Sequence, residues 1–350
     1  MNSGRIDLTH DWQKSLTEAT SGRKVAIVAS APVVEIIGRS TLGETELILV
    51  TDGEGQKSWS EVISVIRRLG EIAFPRDGVI VGIGGGATTD LAGFVASIWM
   101  RGVDWIALPT TLAGMVDAAI GGKTGINSES GKNLVGSFHL PLSTIIDQRL
   151  LDSLSRRDLS AGLAEVIKCG FIADERILDL VESLTEGEML TPSSSQRIGE
   201  LIGRAASVKD VIVREDLRES GRRAFLNYGH TLGHAIEKSS GYILRHGEAV
   251  SIGLVFAAHL SHRLNGLPSK IVDRHIELLS KVGLPTDYPT GDLEHLLELM
   301  ALDKKVKNGK MRFVTLKSIG EPVVSEGVST ELVREIYSRY IDTSETSEKE

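Results

Sequence analysis

At 350 residues the chain exceeds what one hydrophobic core usually organises, so two medium domains are expected. With 41% hydrophobic and 25% charged residues it is neither disordered nor fibrous in composition. A formal net charge of -8 excludes a general attraction to nucleic acid or anionic membrane, so basic residues that cluster serve a local purpose.

The first residues lack the apolar core and small-residue cleavage site of a secretory leader, and no apolar run approaches the ~18 residues of a membrane helix. Cys169 is the sole cysteine, which excludes an internal disulfide and a multi-cysteine zinc site and suits a reducing compartment. A cytoplasmic protein is expected. Short runs rich in β-branched residues at 24–29, 47–50 and 79–83 read as buried parallel strands, with a fourth at 105–108. Helix-like segments at 59–70 and 90–100 alternate with them, a βαβ pattern. After Arg156 the character changes. Apolar residues at helical spacing mark 161–172, 193–213, 229–239, 249–264 and 270–282, with no clear strand before 311–316. The division expected is an α/β domain over 1–155, a helical domain over 156–341, and a disordered Ser-, Thr-, Glu- and Lys-rich tail over 342–350.

Gly82-Ile83-Gly84-Gly85-Gly86-Ala87 follows a strand and opens a helix, fitting G-x-G-x-x-A for a dinucleotide phosphate at a helix amino terminus. A tight packing turn is the alternative use of such glycines. Asp104 is a poor acidic partner because it precedes a strand instead of ending one. Asp52-Gly53-Glu54-Gly55-Gln56-Lys57 lies at a strand's carboxyl end, where Glu54 suits ribose hydroxyls and Lys57 is a donor, although a solvated polar turn has the same composition. Two Gly-Lys pairs, at Gly122-Lys123 and Gly131-Lys132, lack the first glycine of a Walker A loop, with Asp117 and Ile126 in its place.

The stretch 116–133 holds Asp117, Lys123, Lys132 and Asn133 among several glycines. It is expected to be a loop, either a cradle of backbone and cations for phosphate or carboxylate or a mobile surface segment. On helix 161–172, Glu165 and Lys168 stand three apart in an otherwise apolar segment, so a buried pair is favoured over a surface one. His230 and His234 are spaced i,i+4, with His246 following. Spacing alone selects His230 and His234 as a metal-binding pair, Glu165 as third ligand and His246 in reserve. His259, His262, His275 and His295 sit on amphipathic helices without companions and read as structural.

Several motifs converge: Gly84-Gly85-Gly86 with Thr88-Thr89-Asp90, Met100-Arg101-Gly102, Pro109-Thr110-Thr111-Leu112, Gly121-Gly122-Lys123-Thr124, Gly131-Lys132-Asn133, Gly162-Leu163-Ala164-Glu165-Val166-Ile167-Lys168, Asn227-Tyr228-Gly229-His230-Thr231, His246-Gly247-Glu248 and Asp303-Lys304-Lys305. Together they resemble the 3-dehydroquinate synthase family, over about residues 50–313. The resemblance implies an amino-terminal Rossmann-type NAD domain and an all-α carboxyl-terminal domain. It also implies a homodimer acting on a small sugar phosphate, with NAD and one zinc or cobalt ion as cofactors.

The resemblance makes Glu165, His230 and His246 the metal ligands and moves His234 to the phosphate side of the site. It implies NAD contacts at Asp52, Gly53, Glu54, Gly55, Gln56, Lys57, Gly86, Ala87, Thr88, Thr89, Asp90, Thr110, Thr111, Lys123, Lys132, Leu150, Leu151, Asp152 and Ser153. Catalytic groups would be Lys123, Lys168, Lys209, Arg223, Asn227 and His234, and further substrate contacts Arg101, Asp117, Asn133 and Lys304 or Lys305. The reaction implied is closure of 3-deoxy-D-arabino-heptulosonate 7-phosphate to 3-dehydroquinate with loss of phosphate, NAD being used and regenerated. A valiolone- or inosose-type sugar phosphate cyclase is the nearest alternative.

Overall fold

The computed structural model describes residues 4–129, 131–218, 221–289, 292–302 and 311–342. Most of the expected tail, and both Lys304 and Lys305, lie outside these residues. The chain divides into two units, the first formed by Met1–Ser155 with Glu186–Asp210 and the second by Arg156–Thr185 with Val211–Glu350.

The first unit is built on a six-stranded parallel sheet. Its strands are β1 (Arg5–Thr9), β2 (Val25–Ser30), β3 (Glu46–Val50), β4 (Val79–Gly84), β5 (Asp104–Pro109) and β8 (Ser143–Asp147), in the order β1-β8-β5-β4-β2-β3. The unit's other strands, β6 (Lys123–Ser128) and β7 (Gly131–Phe138), pair antiparallel as a separate hairpin. Every residue of β4 is buried, which explains an unbroken apolar run where one-sided burial would have produced alternation. Strand order reverses between β2 and β4, so their carboxyl ends form the switch point where open α/β sheets bind ligands. The helix Trp59–Glu71 covers the sheet with Val62, Val65 and Leu69 buried, and starts at Ser58, whose hydroxyl accepts from the Glu61 N–H.

The second unit is mainly helical, joined by one antiparallel pair of strands, β9 (Met311–Leu316) and β10 (Pro322–Val328). The helix Arg156–Ile172 is buried at almost every position from Leu159 onward, which accounts for its lack of a polar face. The helix His246–Asn265 opens with Glu248 accepting from the Arg245 N–H at 2.8 Å and ends at Gly266 in the left-handed region. No described helix is long and apolar enough to cross a membrane.

Two expectations need correction. The 116–133 stretch is not all loop, because residues 123–128 and 131–138 form the β6–β7 hairpin. Its glycines serve close backbone approach: a Cβ on Gly136 would sit 2.2 Å from the Thr124 carbonyl oxygen, and one on Gly125 2.6 Å from that of Val135. Second, Glu186–Asp210 belongs with the first unit instead of the second. Buried Gln148 donates through Nε2 to the carbonyls of Pro192 and Ser195, and Asp152 accepts from the Ser193 N–H at 3.1 Å. The Gln148 bonds satisfy a buried amide, and the Asp152 bond ties the exposed end of the same turn to residues 186–210.

Candidate metal centre and nucleotide site

In the second unit, the helix Arg156–Ile172 presents Glu165 and Lys168, and the helix His230–Ser239 presents His230, His234 and Glu237. His246 stands at the start of the next long helix. Glu165 is 1% exposed, and its Oε1 lies 3.4 Å from His230 Nε2 and 3.3 Å from His246 Nε2. One ligand atom from each of the three falls within 4.8 Å of the others. Glu165 Oε2 accepts from the ammonium of Lys168, while Oε1 accepts no hydrogen bond among the described residues.

Each imidazole is held by its other nitrogen. His230 Nδ1 lies 3.0 Å from the Tyr228 carbonyl oxygen, and His246 Nδ1 lies 3.0 Å from Glu237 Oε2. A carbonyl and a carboxylate only accept, so both Nδ1 atoms carry a proton, and in the neutral ring each Nε2 is the atom with the lone pair. Acceptors behind Nδ1 are the usual support of metal-ligating imidazoles.

The charges agree with a site for a cation. Burial pushes the Glu165 carboxyl up, but Lys168 and then His230 outweigh it and hold it well below the usual range. Burial, then Lys168, holds His230 below its ordinary value, in the neutral form that ligates. Burial would also lower His246, yet the carboxylates of Glu165 and Glu237 beside it raise it to about 10. Positive charge is therefore favoured where His246 meets the two carboxylates. A buried carboxylate oxygen without a hydrogen bond, flanked by two imidazole lone pairs, fits a divalent ion of the zinc or cobalt type.

The pairing read from i,i+4 spacing is corrected. The His230 and His234 rings are close, with centroids 5.2 Å apart, but His234 is exposed and stands outside the three-residue cluster. Lys168 is 1% exposed, so its pair with Glu165 is a core interaction. Arg223 is also buried, donating to the Leu217 carbonyl, and Asn227 ends the turn that leads into Tyr228 and His230. Spacing reasoning gave Glu237 no role. The signal was present, since Glu237 follows His230 by seven residues, two turns along one helix face.

In the first unit, Gly84, Gly85 and Gly86 lead from β4 into the helix Gly86–Ile98. A Cβ on Gly84 would meet Thr88 Oγ1 at 2.3 Å, and one on Gly86 would meet Ala118 Cβ at 2.8 Å, so the turn admits only glycine. It brings Ala87, Thr88, Thr89 and Asp90 into the first helical turn, with Thr110 N donating to the Gly84 carbonyl at 2.8 Å. Thr111 Oγ1 accepts from the Gly114 N–H.

At the end of β2, Ser30 donates to Asp52 Oδ1 at 2.8 Å, which ties the Asp52, Gly53, Glu54, Gly55, Gln56 turn to the switch point. Lys57 is 4% exposed and donates to Asp90 Oδ2 at 2.5 Å and to Asn133 Oδ1. Burial raises the Asp90 carboxyl to about 6, against the pull of Lys57. Asn127, which spacing reasoning passed over, donates to Glu54 and accepts from the Asn133 N–H.

Buried Lys209 forms an ion pair with Asp117. Arg101 is exposed in a turn where it and Met100 have φ of 69° and 48°, a left-handed conformation that costs strain in non-glycine residues. Lys123 is exposed at the start of β6, and Lys132 is half-buried in β7. Leu150 and Leu151 are buried, which leaves only their backbone for any ligand, whereas Asp152 and Ser153 are exposed.

A parallel-sheet unit with a glycine-rich switch-point turn and a helical unit bearing a carboxylate–imidazole cluster suit an enzyme that uses a dinucleotide and a divalent ion. The structure aligns with 2-epi-5-epi-valiolone synthase from Streptomyces hygroscopicus subsp. jinggangensis, solved with NAD+ and Zn2+, at a TM-score of 0.88 and 26% identity over 95% of each chain. It also aligns with 2-deoxy-scyllo-inosose synthase, solved with carbaglucose-6-phosphate, NAD+ and Co2+, at a TM-score of 0.83 over 96% of this chain and 98% of that one. At 24% identity this likeness shows the fold alone. Residues 47–161 match the model of the 3-dehydroquinate synthase N-terminal domain and residues 162–306 that of its C-terminal domain. The 3-dehydroquinate synthase of Thermobifida fusca is 51% identical over 307 residues, 87% of this chain and 82% of its own length. The chain belongs to the 3-dehydroquinate synthase family.

Proposed function

We infer that the chain converts 3-deoxy-D-arabino-heptulosonate 7-phosphate into 3-dehydroquinate and phosphate, a carbon–oxygen lyase reaction at the second step of the shikimate pathway. NAD and one divalent ion, zinc or cobalt, serve as cofactors. The observation that carries this reading is the 51% identity to a 3-dehydroquinate synthase over most of both chains, joined to the Glu165–His230–His246 cluster.

NAD, when bound, supplies the hydride acceptor and donor that no side chain provides. A divalent ion held by Glu165, His230 and His246 supplies Lewis acidity at the substrate's vicinal hydroxyls. The remaining work falls to the chain. The amino terminus of the helix Gly86–Ile98 offers backbone N–H groups to the cofactor's pyrophosphate, and Asp52 and Glu54 accept from ribose hydroxyls. Thr110, Thr111, Lys132 and residues 150–153 complete the cofactor contacts.

The substrate carries a carboxylate and a phosphate, so a chain of net charge -8 needs local cations to hold it. Lys123, Lys168, Lys209, Arg101, Arg223 and Lys304 or Lys305 supply them, with Asp117, Asn133 and Asn227 orienting hydroxyls. Lys168 and Lys209 are already paired with carboxylates, which fixes their ammonium groups in place before substrate arrives. His234 serves the phosphate. No side chain is assigned as the base that removes the proton next to the transient ketone; the substrate's own phosphate fills that role.

The enzyme is proposed to be a cytoplasmic homodimer without a nucleic-acid or membrane partner. The net charge and the single cysteine support the first and last of these, and family membership supports the dimer.

The deciding assay incubates metal-loaded protein and catalytic NAD with the heptulosonate phosphate, following phosphate release beside 3-dehydroquinate formation. Equal amounts of both products, lost on chelation, are expected. Net accumulation of NADH, or preference for a ketose phosphate lacking the carboxylate, would reassign the chain to a dehydrogenase or to another cyclase.

A further inference from the structure

His275 lies far along the sequence from the metal cluster, yet it touches the helix that carries Glu165 and the segment that leads into His230. It is fully buried on the helix Ser269–Lys281. Its Nδ1 lies 2.7 Å from the Ile271 carbonyl oxygen and its Nε2 lies 2.9 Å from the Tyr228 hydroxyl. The carbonyl takes the Nδ1 proton, so Nε2 is the acceptor and the tyrosine donates. The ring also stacks on Phe171, with centroids 3.3 Å apart and planes 8° from parallel.

Phe171 stands six residues after Glu165 on the same helix. Tyr228 is 0% exposed, and its backbone carbonyl receives His230 Nδ1. Between Tyr228 and His230, Gly229 adopts φ +79° and packs so closely that a Cβ would meet the Leu254 N at 2.9 Å.

We propose that His275 is a positioning residue of the metal centre. By accepting the Tyr228 hydroxyl and stacking on Phe171, it fixes the carbonyl that orients His230 against the helix that carries Glu165. This rests on the metal reading of Glu165, His230 and His246. Outer partners of metal-ligating histidines commonly change metal affinity tenfold or more when removed, and His275 acts one contact further out.

The test measures zinc and cobalt dissociation constants on the full chain by competition with a chromogenic chelator, with no substrate present. Tyr228→Phe removes one hydroxyl and keeps the ring, and His275→Phe keeps the stack and removes both hydrogen bonds. Thr315→Val is the control, deleting another buried hydroxyl of the same unit that bonds Ser325 and Asn265. We expect Tyr228→Phe and His275→Phe to weaken metal binding by about fivefold or more and to shift the visible absorption of the cobalt form. Thr315→Val should lower the melting temperature alone. Dissociation constants within twofold of the wild type in Tyr228→Phe would overturn the proposal, even if His275→Phe fails to fold. A wild-type chain that binds neither metal would instead overturn the metal reading itself.

Discussion

Glu237 Oε2 stands 3.0 Å from His246 Nδ1, and this contact decides which nitrogen of His246 faces Glu165. With Nδ1 protonated toward the carboxylate, Nε2 is the lone pair left for a ligand. Replacing Glu237 by alanine is expected to weaken zinc binding between about tenfold and a hundredfold, and Glu237→Gln, which keeps an acceptor, to weaken it less. Chelator competition checks the order of the two variants. Equal affinity in both would show that the hydrogen bond is not what orients the ring.

His234 and His246 lie on opposite sides of the choice between spacing and geometry. His246→Ala should purify without stoichiometric metal, because it removes one of the three side chains that could hold an ion. His234→Ala should keep its metal and lose turnover. Elemental analysis of the two proteins separates the readings, and metal-replete His246→Ala would sink the triad.

Lys168 is the counter-ion of a carboxylate that is otherwise in the core. Lys168→Met should cost the metal-free protein about 3–5 kcal/mol, the usual range when one partner of a buried pair is removed. The pH dependence follows from the depressed Glu165 carboxyl: its contribution is present above the ordinary carboxylate range and is lost as pH falls below it. Lys168→Met should therefore lose less stability than the wild type on acidification through that range. Urea unfolding of the two chains from about pH 6 to about pH 3 measures this, and parallel curves would count against it.

His275 gives a second, independent acid sensitivity. Burial lowers it from 6.5 to about 3, since protonation would break the bond from the Tyr228 hydroxyl in a dry core. The unfolded chain takes up a proton as pH falls below 6.5 and the folded chain does not. Stability from this group is present above 6.5 and declines toward 3, by roughly 1.4 kcal/mol per pH unit. Unfolding free energies of His275→Phe should thus fall less steeply between pH 7 and 5, by about 2 kcal/mol over that interval. A slope equal to the wild type would mean that the imidazole titrates normally in the fold.

The strands most legible in the sequence were those that burial leaves no choice about. β4 and β2 are apolar at nearly every position, and the segments 79–83 and 24–29 stood out for that reason. β1 escaped notice because it is an edge strand of five residues with an exposed or half-buried pattern, and no local period marks it. β6 and β7 escaped because glycine reads as loop, whereas here it lets two backbones meet.

At the candidate metal site, i,i+4 spacing paired His230 with His234, whose rings are adjacent but of which only His230 joins the cluster with Glu165 and His246. Spacing carries no information on where a ring nitrogen points, and the partners that set this, the Tyr228 carbonyl and Glu237, are read only in three dimensions. The family motifs supplied His246 in advance of that geometry.

The return of Glu186–Asp210 to the first unit bears on how the chain is made. At residue 155 every strand of the parallel sheet has been made, but not the carbonyls that Gln148 needs nor the lysine that faces Asp117. The nascent sheet waits for some 55 further residues before its last polar groups are satisfied, so a gene cut at Ser155 should yield an aggregation-prone fragment and not a free-standing nucleotide domain.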